Sequence, residues 1–169
     1  MSAAALRAKP RGKPREEPQP ATWGPFDDYR CAHHTFRRVL GRILGPFELA
    51  VSDYTALRLA SADTVRPSFL SAHLGISPAA TTEVLDRLEA RGLVRRERDP
   101  TDRRAVAVSL TENGAKLYRR ASQAHRAFLD SLARDMRPHE LEALRSGSLE
   151  LRRVLEERSR ELDLGEKET

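Results

Sequence analysis

Leu70–Thr111 reads LSAHLGISPAATTEVLDRLEARGLVRRERDPTDRRAVAVSLT, and the fold follows from how this stretch is parsed. A short apolar-periodic segment ends at Leu74 and is followed by Gly75. Glycine takes the left-handed conformation that stops a helix and turns the chain without a Cβ penalty. Ile76 is expected to follow as a buried pin. Ser77 is placed to cap a second helix, and Pro78 to occupy its first position, where a missing N–H costs nothing. Val84, Leu85 and Leu88 fall on one face at helical spacing; the helix runs to about Arg91, and Gly92 ends it. Helix, tight glycine turn and second helix make a helix-turn-helix unit.

Leu93 and Val94 then begin an extended run, Arg95-Arg96-Glu97-Arg98. Asp99-Pro100-Thr101-Asp102 is a turn sequence, because proline presets φ and aspartate side chains bond nearby backbone. Past Arg103 and Arg104, Ala105–Leu110 reads as a second strand with Val106, Val108 and Leu110 on one face. A hairpin with cationic flanks and an arginine-bearing tip, placed directly after the second helix, is a wing.

With these pieces in order, the chain resembles the MarR family of bacterial transcription regulators, which are dimeric winged helix-turn-helix proteins. The resemblance is carried by Leu70-x-x-x-Leu74-Gly75-Ile76-Ser77, Leu88-Glu89-Ala90-Arg91-Gly92-Leu93-Val94-Arg95-Arg96, Asp102-Arg103-Arg104 and Leu110-Thr111-Glu112-Asn113-Gly114. The close match spans about a quarter of the chain, and the flanks match as helical pattern only. It implies a mainly α fold with a small β wing: a winged helix-turn-helix domain plus a helical dimerisation region. It also implies that the first helix joins the last two in a dimer interface. At the wing, the arginine of Asp-x-Arg enters a minor groove while the aspartate holds the loop; Asp102 and Arg104 match those positions. Many members release DNA when a small molecule, often aromatic, binds between the DNA-reading lobe and the dimer helices. Some sense oxidants through a cysteine on the first helix, where this chain has Cys31.

Composition agrees with a polyanion-binding protein. The chain has 169 residues, with 30 Lys and Arg against 25 Asp and Glu, and its pI is about 9.9. Charged residues are 33% and aromatics 5%, a thin supply for a monomeric core of this length and a reason to complete the core by dimerising. The arginines clustered around one hairpin favour nucleic acid over a merely solvated basic surface. One cysteine allows no internal disulfide and points to a reducing compartment. No apolar run approaches the ~20 residues that span a bilayer, and the basic N-terminus lacks a signal peptide's apolar core. A cytoplasmic location is expected. No glycine-rich phosphate loop, nucleophile elbow or paired-carboxylate pocket stands out, so neither enzymatic activity nor a cofactor is expected. His33, His34, His73, His125 and His139 form no spaced metal motif.

Taken in order, residues 1–24 are a basic, proline-rich tail expected to be disordered, either an arm attracted to DNA or a solvated extension. Residues 25–50 supply a dimerisation helix with apolar positions from Phe26 to Phe47, weakened by Gly41 and Gly45 by roughly 1 kcal/mol each. Residues 51–111 form the DNA-binding lobe: a helix capped by Ser52, a short strand at Thr64-Val65 beside the wing, then the helix-turn-helix, with Phe69, Leu70 and Leu74 as core candidates. Residues 112–163 hold two amphipathic dimerisation helices, the first capped by Thr111 and the second opened by Pro138, its apolar set interrupted by Ser146-Gly147-Ser148. Residues 164–169 are a tail.

If the second helix buries Val84, Leu85 and Leu88, a step of about 100° per residue turns Pro78, Ala79, Thr82, Glu83, Asp86 and Arg87 outward. The N-terminal part of such a helix enters the major groove. There Ser77 and its neighbouring N–H groups suit a phosphate, Ala79 permits close approach, Thr82 reaches a base edge, and Arg87 reaches a phosphate or guanine. Arg95, Arg103 and Arg104 supply the wing's cationic contacts. Glu83 departs from the family pattern; it accepts from a cytosine amino group or pairs with a neighbouring arginine. Cys31 is either an activated thiol beside Tyr29, His33 and His34 or a small, partly buried hydrophobe. The expected partners are double-stranded DNA, a second copy of the chain and a small aromatic effector. The expected function is a homodimeric, ligand-responsive repressor on a pseudo-palindromic operator. The rivals are a winged protein-interaction module without DNA binding and a Cys31-based redox regulator.

Overall fold

A computed structural model of the protein describes residues 24–98 and 106–165. The element order is α1 (Pro25–Leu44), a 3-10 turn (Gly45–Phe47), α2 (Val51–Ala60), α3 (Pro67–Leu74), α4 (Pro78–Ala90), β1 (Val94–Arg98), β2 (Val106–Leu110), α5 (Glu112–Asp135) and α6 (Pro138–Gly165). The fold is mainly α with a two-stranded antiparallel wing. Two compact units are distinguished, residues 1–39 and residues 40–169. The described part of the first is most of α1, whose Phe26 and Tyr29 are exposed. No helix among the described residues is long and apolar enough to cross a membrane.

Local chemistry accounts for the boundaries. α1 ends at Leu44, ahead of the expected Phe47, because Pro46 has no N–H to continue the ladder. A 3-10 turn takes over, closed by Glu48 at φ 55°, whose N–H reaches Gly45 O at 2.8 Å. Ser52 does not cap α2. The cap position is Ala50, two residues before Ser52, and Asp53 reaches back to accept the Ala50 N–H at 3.0 Å. Gly75 has φ 63° and closes α3 as its left-handed cap. Ser77 does cap α4, its Oγ accepting from Ala80 N–H at 3.2 Å. α6 runs without a break through Ser146–Ser148, with the Ser146 hydroxyl bonded to Glu142 O at 2.9 Å.

The core of the second unit is built around α2, which packs on α3, α4 and α5. Leu44, Leu57, Leu70, Leu85, Leu88 and Val108 are fully enclosed. Phe69 is not core: it is 50% exposed, while its neighbour Leu70 is buried. Ile76 is half-buried rather than enclosed. The wing register pairs Val94 with Leu110 and Arg98 with Val106. Val65 adds a bridge on the far edge of β2, exchanging both backbone bonds with Val108 at 2.9 and 2.8 Å.

The start of α5 is stitched to the end of α4. Thr111 N–H donates to Leu93 O at 3.1 Å, its hydroxyl donates to Gly92 O at 2.6 Å, and the same oxygen accepts from Gly114 N–H at 3.0 Å. This closeness explains Gly114: a Cβ there would lie 1.9 Å from Leu93 O, a backbone atom with no room to retreat. Gly114→Ala is expected to cost at least ~1–3 kcal/mol, the range for overpacking a filled site. Urea unfolding checks this, and an unchanged midpoint would show that the helix start can shift freely.

Tyr54 and His125 join α2 to α5, with the phenol oxygen and imidazole Nδ1 3.0 Å apart and the rings edge to face. Burial, reinforced by the charge of Arg58, holds the His125 pKa below its ordinary 6.5. Above that value the ring is neutral in folded and unfolded chains alike. As pH falls through it, the unfolded chain binds a proton that the folded chain resists, so stability is lost on acidification. His125→Gln should flatten the decline in unfolding midpoint between about pH 7 and 5. Equal slopes in both proteins would remove His125 as its source.

Candidate nucleic-acid interface

α4 is two-faced. Thr81, Val84, Leu85 and Leu88 are buried, and Ser77, Pro78, Ala79, Thr82, Glu83, Asp86 and Arg87 are exposed. The outward set is the one expected from the apolar stripe. Thr81 was not: it extends the buried face by one turn because its hydroxyl accepts from Ser71 Oγ at 2.9 Å and donates to Ser77 O at 3.1 Å. That pair ties the two helices of the motif together at the turn. The Thr82 hydroxyl also donates backward, to Pro78 O at 3.0 Å.

The arginines around this face are engaged within the protein. Arg87 points its guanidinium at the buried Asp53, Nη2 to Oδ1 at 2.8 Å. The hydrogen bond and charge of Asp53 hold Arg87 more firmly protonated than a free guanidinium. About half of the Arg87 side chain stays exposed, so the group that anchors α4 to α2 also borders the outward face. Arg96 turns back from β1 onto α4, contacting Asp86 at 2.6 Å, Glu89 at 3.3 Å and Thr82 O at 3.3 Å. Arg91 donates to Glu48 O at 2.6 Å and Phe47 O at 3.3 Å. Arg95 lies on the opposite face of β1, with Nε 3.0 Å from both Ser109 Oγ and Glu97 Oε1. Asp102, Arg103 and Arg104 lie outside the described residues. Cys31 is exposed on α1 and distant in sequence from this face.

The comparisons with known proteins agree with this geometry. A family model described as "MarR family" matches residues 55–106, from α2 to the start of β2. YhbI, an HTH-type transcriptional regulator of Bacillus subtilis (strain 168), is 30% identical over 127 residues, covering 73% of this chain and 82% of its own. The chain belongs to the MarR family. Among solved structures, a mutant of MarR from E. coli complexed with operator DNA aligns with TM-score 0.64 and 26% identity, over 79% of this chain and 99% of that one. CouR from Rhodococcus jostii RHA1, bound to p-coumaroyl-CoA, aligns with TM-score 0.65 and 26% identity, over 72% and 86% of the two chains. As a MarR-family protein the chain is a winged-helix, DNA-binding transcription regulator and not an enzyme.

In this MarR-family chain, Asp53 and Arg96 are positioning residues that sequence reading missed. A signal existed for Arg96: strand alternation puts it on the face of Val94, which packs inward. None existed for Asp53, whose partner is 34 residues away. Removing the Arg87 guanidinium leaves the Asp53 carboxylate buried with, among the described residues, the Ala50 N–H as its hydrogen-bond donor. Arg87→Ala is therefore expected to lower folding stability by ~1–3 kcal/mol, the cost of a buried charged acceptor losing its partner. Arg95→Ala, which breaks only exposed contacts, should stay within ~0.5 kcal/mol of the parent. Chemical denaturation of both variants checks the contrast, and equal midpoints would refute the anchoring role.

Proposed function

We propose that the chain acts in the cytoplasm as a homodimeric repressor that reads a pseudo-palindromic operator and releases it on binding a small aromatic effector. The exposed N-terminal face of α4, Ser77 to Thr82, backed by a buried stripe and followed at once by a wing, carries this reading. A helix so presented places its first turns in the major groove, with capping-region N–H groups toward phosphate. Arg103 and Arg104 at the wing tip supply the flanking contacts, Arg104 in the adjacent minor groove with Asp102 holding the loop.

Dimerisation is supported by α6. Leu144, Leu155 and Leu162 share one stripe and are 58%, 55% and 72% exposed. An apolar stripe of this length on a helix rich in ion pairs is suited to a second copy of the chain. Two α4 helices then meet successive major grooves about one helical turn apart. Effector binding is supported by a cleft of about 760 Å³, which lies within the size range of small-molecule sites. Phe69 and Tyr118 line it, and Arg58 supplies a cation for an aromatic acid.

Fluorescence anisotropy on DNA from upstream of the protein's own coding region, against scrambled duplex across a salt series, tests the reading. A tight preference for the upstream duplex is expected, with Arg104→Ala losing ~1–3 kcal/mol, the size of one good groove contact. Absence of binding to any duplex at low salt would overturn it and leave a protein-interaction module in its place.

A further inference from the structure

Glu83 sits at the centre of the exposed face of α4, where a carboxylate opposes DNA phosphates. Pairing with a nearby arginine is one way to neutralise it, but the nearby arginines are engaged elsewhere. Arg87 is held by Asp53, Arg96 by Asp86 and Glu89, and Arg91 by the Phe47–Glu48 backbone. Among the described residues Glu83 takes neither a close ion pair nor a hydrogen bond, and its charge reaches only Arg87, one turn on, which is already bonded to Asp53. Beside it, the Thr82 hydroxyl spends its proton on Pro78 O and keeps only lone pairs for a ligand. Pro78 and Ala79 are apolar. From Pro78 to Glu83 the outward side chains therefore present acceptors and no committed donor.

Such a surface is complementary to amino groups on base edges. In the major groove, guanine and thymine present acceptors, which repel a carboxylate, whereas cytosine N4 and adenine N6 present donors. Adenine N6 lies beside the N7 acceptor of its own base, which faces the second carboxylate oxygen unfavourably. Cytosine N4 is flanked on its own base by C5–H, which carries no lone pair, so the only adjacent acceptor is the paired guanine O6 on the other side. We propose that Glu83 is a specificity-determining residue that accepts a hydrogen bond from the N4 amino group of one cytosine in each operator half-site. Against other sequences its charge is uncompensated, so it also suppresses nonspecific binding. The proposal rests on α4 entering the major groove, as set out under Proposed function.

The test is selection from randomised duplexes by the full-length protein and its Glu83→Gln and Glu83→Ala variants, followed by anisotropy on the selected sites. The parent should select a C·G pair in each half-site whose replacement weakens binding roughly ten- to a hundredfold, the discrimination of one good base contact. Glu83→Gln should move that preference toward adenine, since an amide both accepts from N6 and donates to N7. Glu83→Ala should lose the preference while binding nonspecific duplex more tightly than the parent. Thermal unfolding should change little in both variants, because the residue is exposed and its i,i+4 attraction to Arg87 is a weak surface interaction. Retention of the parent's preference at every position by both variants would overturn the assignment, as would a parent site with no cytosine dependence that the substitutions remove. A parent protein that selects no sequence would overturn sequence-specific binding itself, and the assignment of Glu83 with it.

Discussion

One stripe of α4 has to leave water, and the winged-helix lobe is arranged to cover it. Thr81, Val84, Leu85 and Leu88 are buried against α2 and α3, with the start of β1 following from the helix end. At about 25 cal/mol per Å² of apolar surface, burial of such side chains is the dominant favourable term available to so small a lobe. Once the stripe is inside, helical geometry leaves no choice about what points out. Exposure of Ser77, Ala79, Thr82 and Glu83 is thus a consequence of core packing. The Ser71–Thr81 hydroxyl pair and the Asp53–Arg87 ion pair then remove the remaining freedom of α4 to roll or slide.

Charge in this lobe is organised more by pairing than by abundance. The chain carries a formal net charge of +5, yet the guanidiniums closest to α4 are largely committed to carboxylates and carbonyls of the protein. Arg96 folds the wing's first strand onto Asp86 and Glu89, and Arg91 ties the end of α4 to the turn after α1. Their contribution is to set helix and wing at a fixed angle. Arg98, at the exposed end of β1, lies outside this set.

The ends of the described chain have a different character. α5 and α6 carry ladders of exposed ion pairs, such as Lys116 with Glu112 and Arg153 with Glu157. Pairs of this kind add little individually but favour long helices at their spacing. The same two helices leave leucines uncovered, and α1 does the same with Phe26 and Tyr29. Apolar side chains are thus enclosed around α2–α4 and left exposed on α1, α5 and α6.

Local signals in the sequence determined the helix-turn-helix, the cap at Ser77, the glycine stops, the wing and the outward face of α4. Each depends on residues within a turn or two of one another: a side-chain oxygen beside an orphan N–H, a proline at a first turn, a period of 3.6 or 2. Gly114 was legible as part of a motif, but its reason, contact with Leu93 O, was not. Ser52 looked like a cap and was not one, because Asp53 offered a carboxylate that also met Arg87. Phe69 looked like core and lines a cleft instead. Only tertiary structure decided which arginines are spent on the protein, and so which outward acidic group is left without a close ion pair among the described residues. Such partners are brought together by the packing of whole helices, and a difference of one side-chain length between two helices is invisible to spacing along the chain.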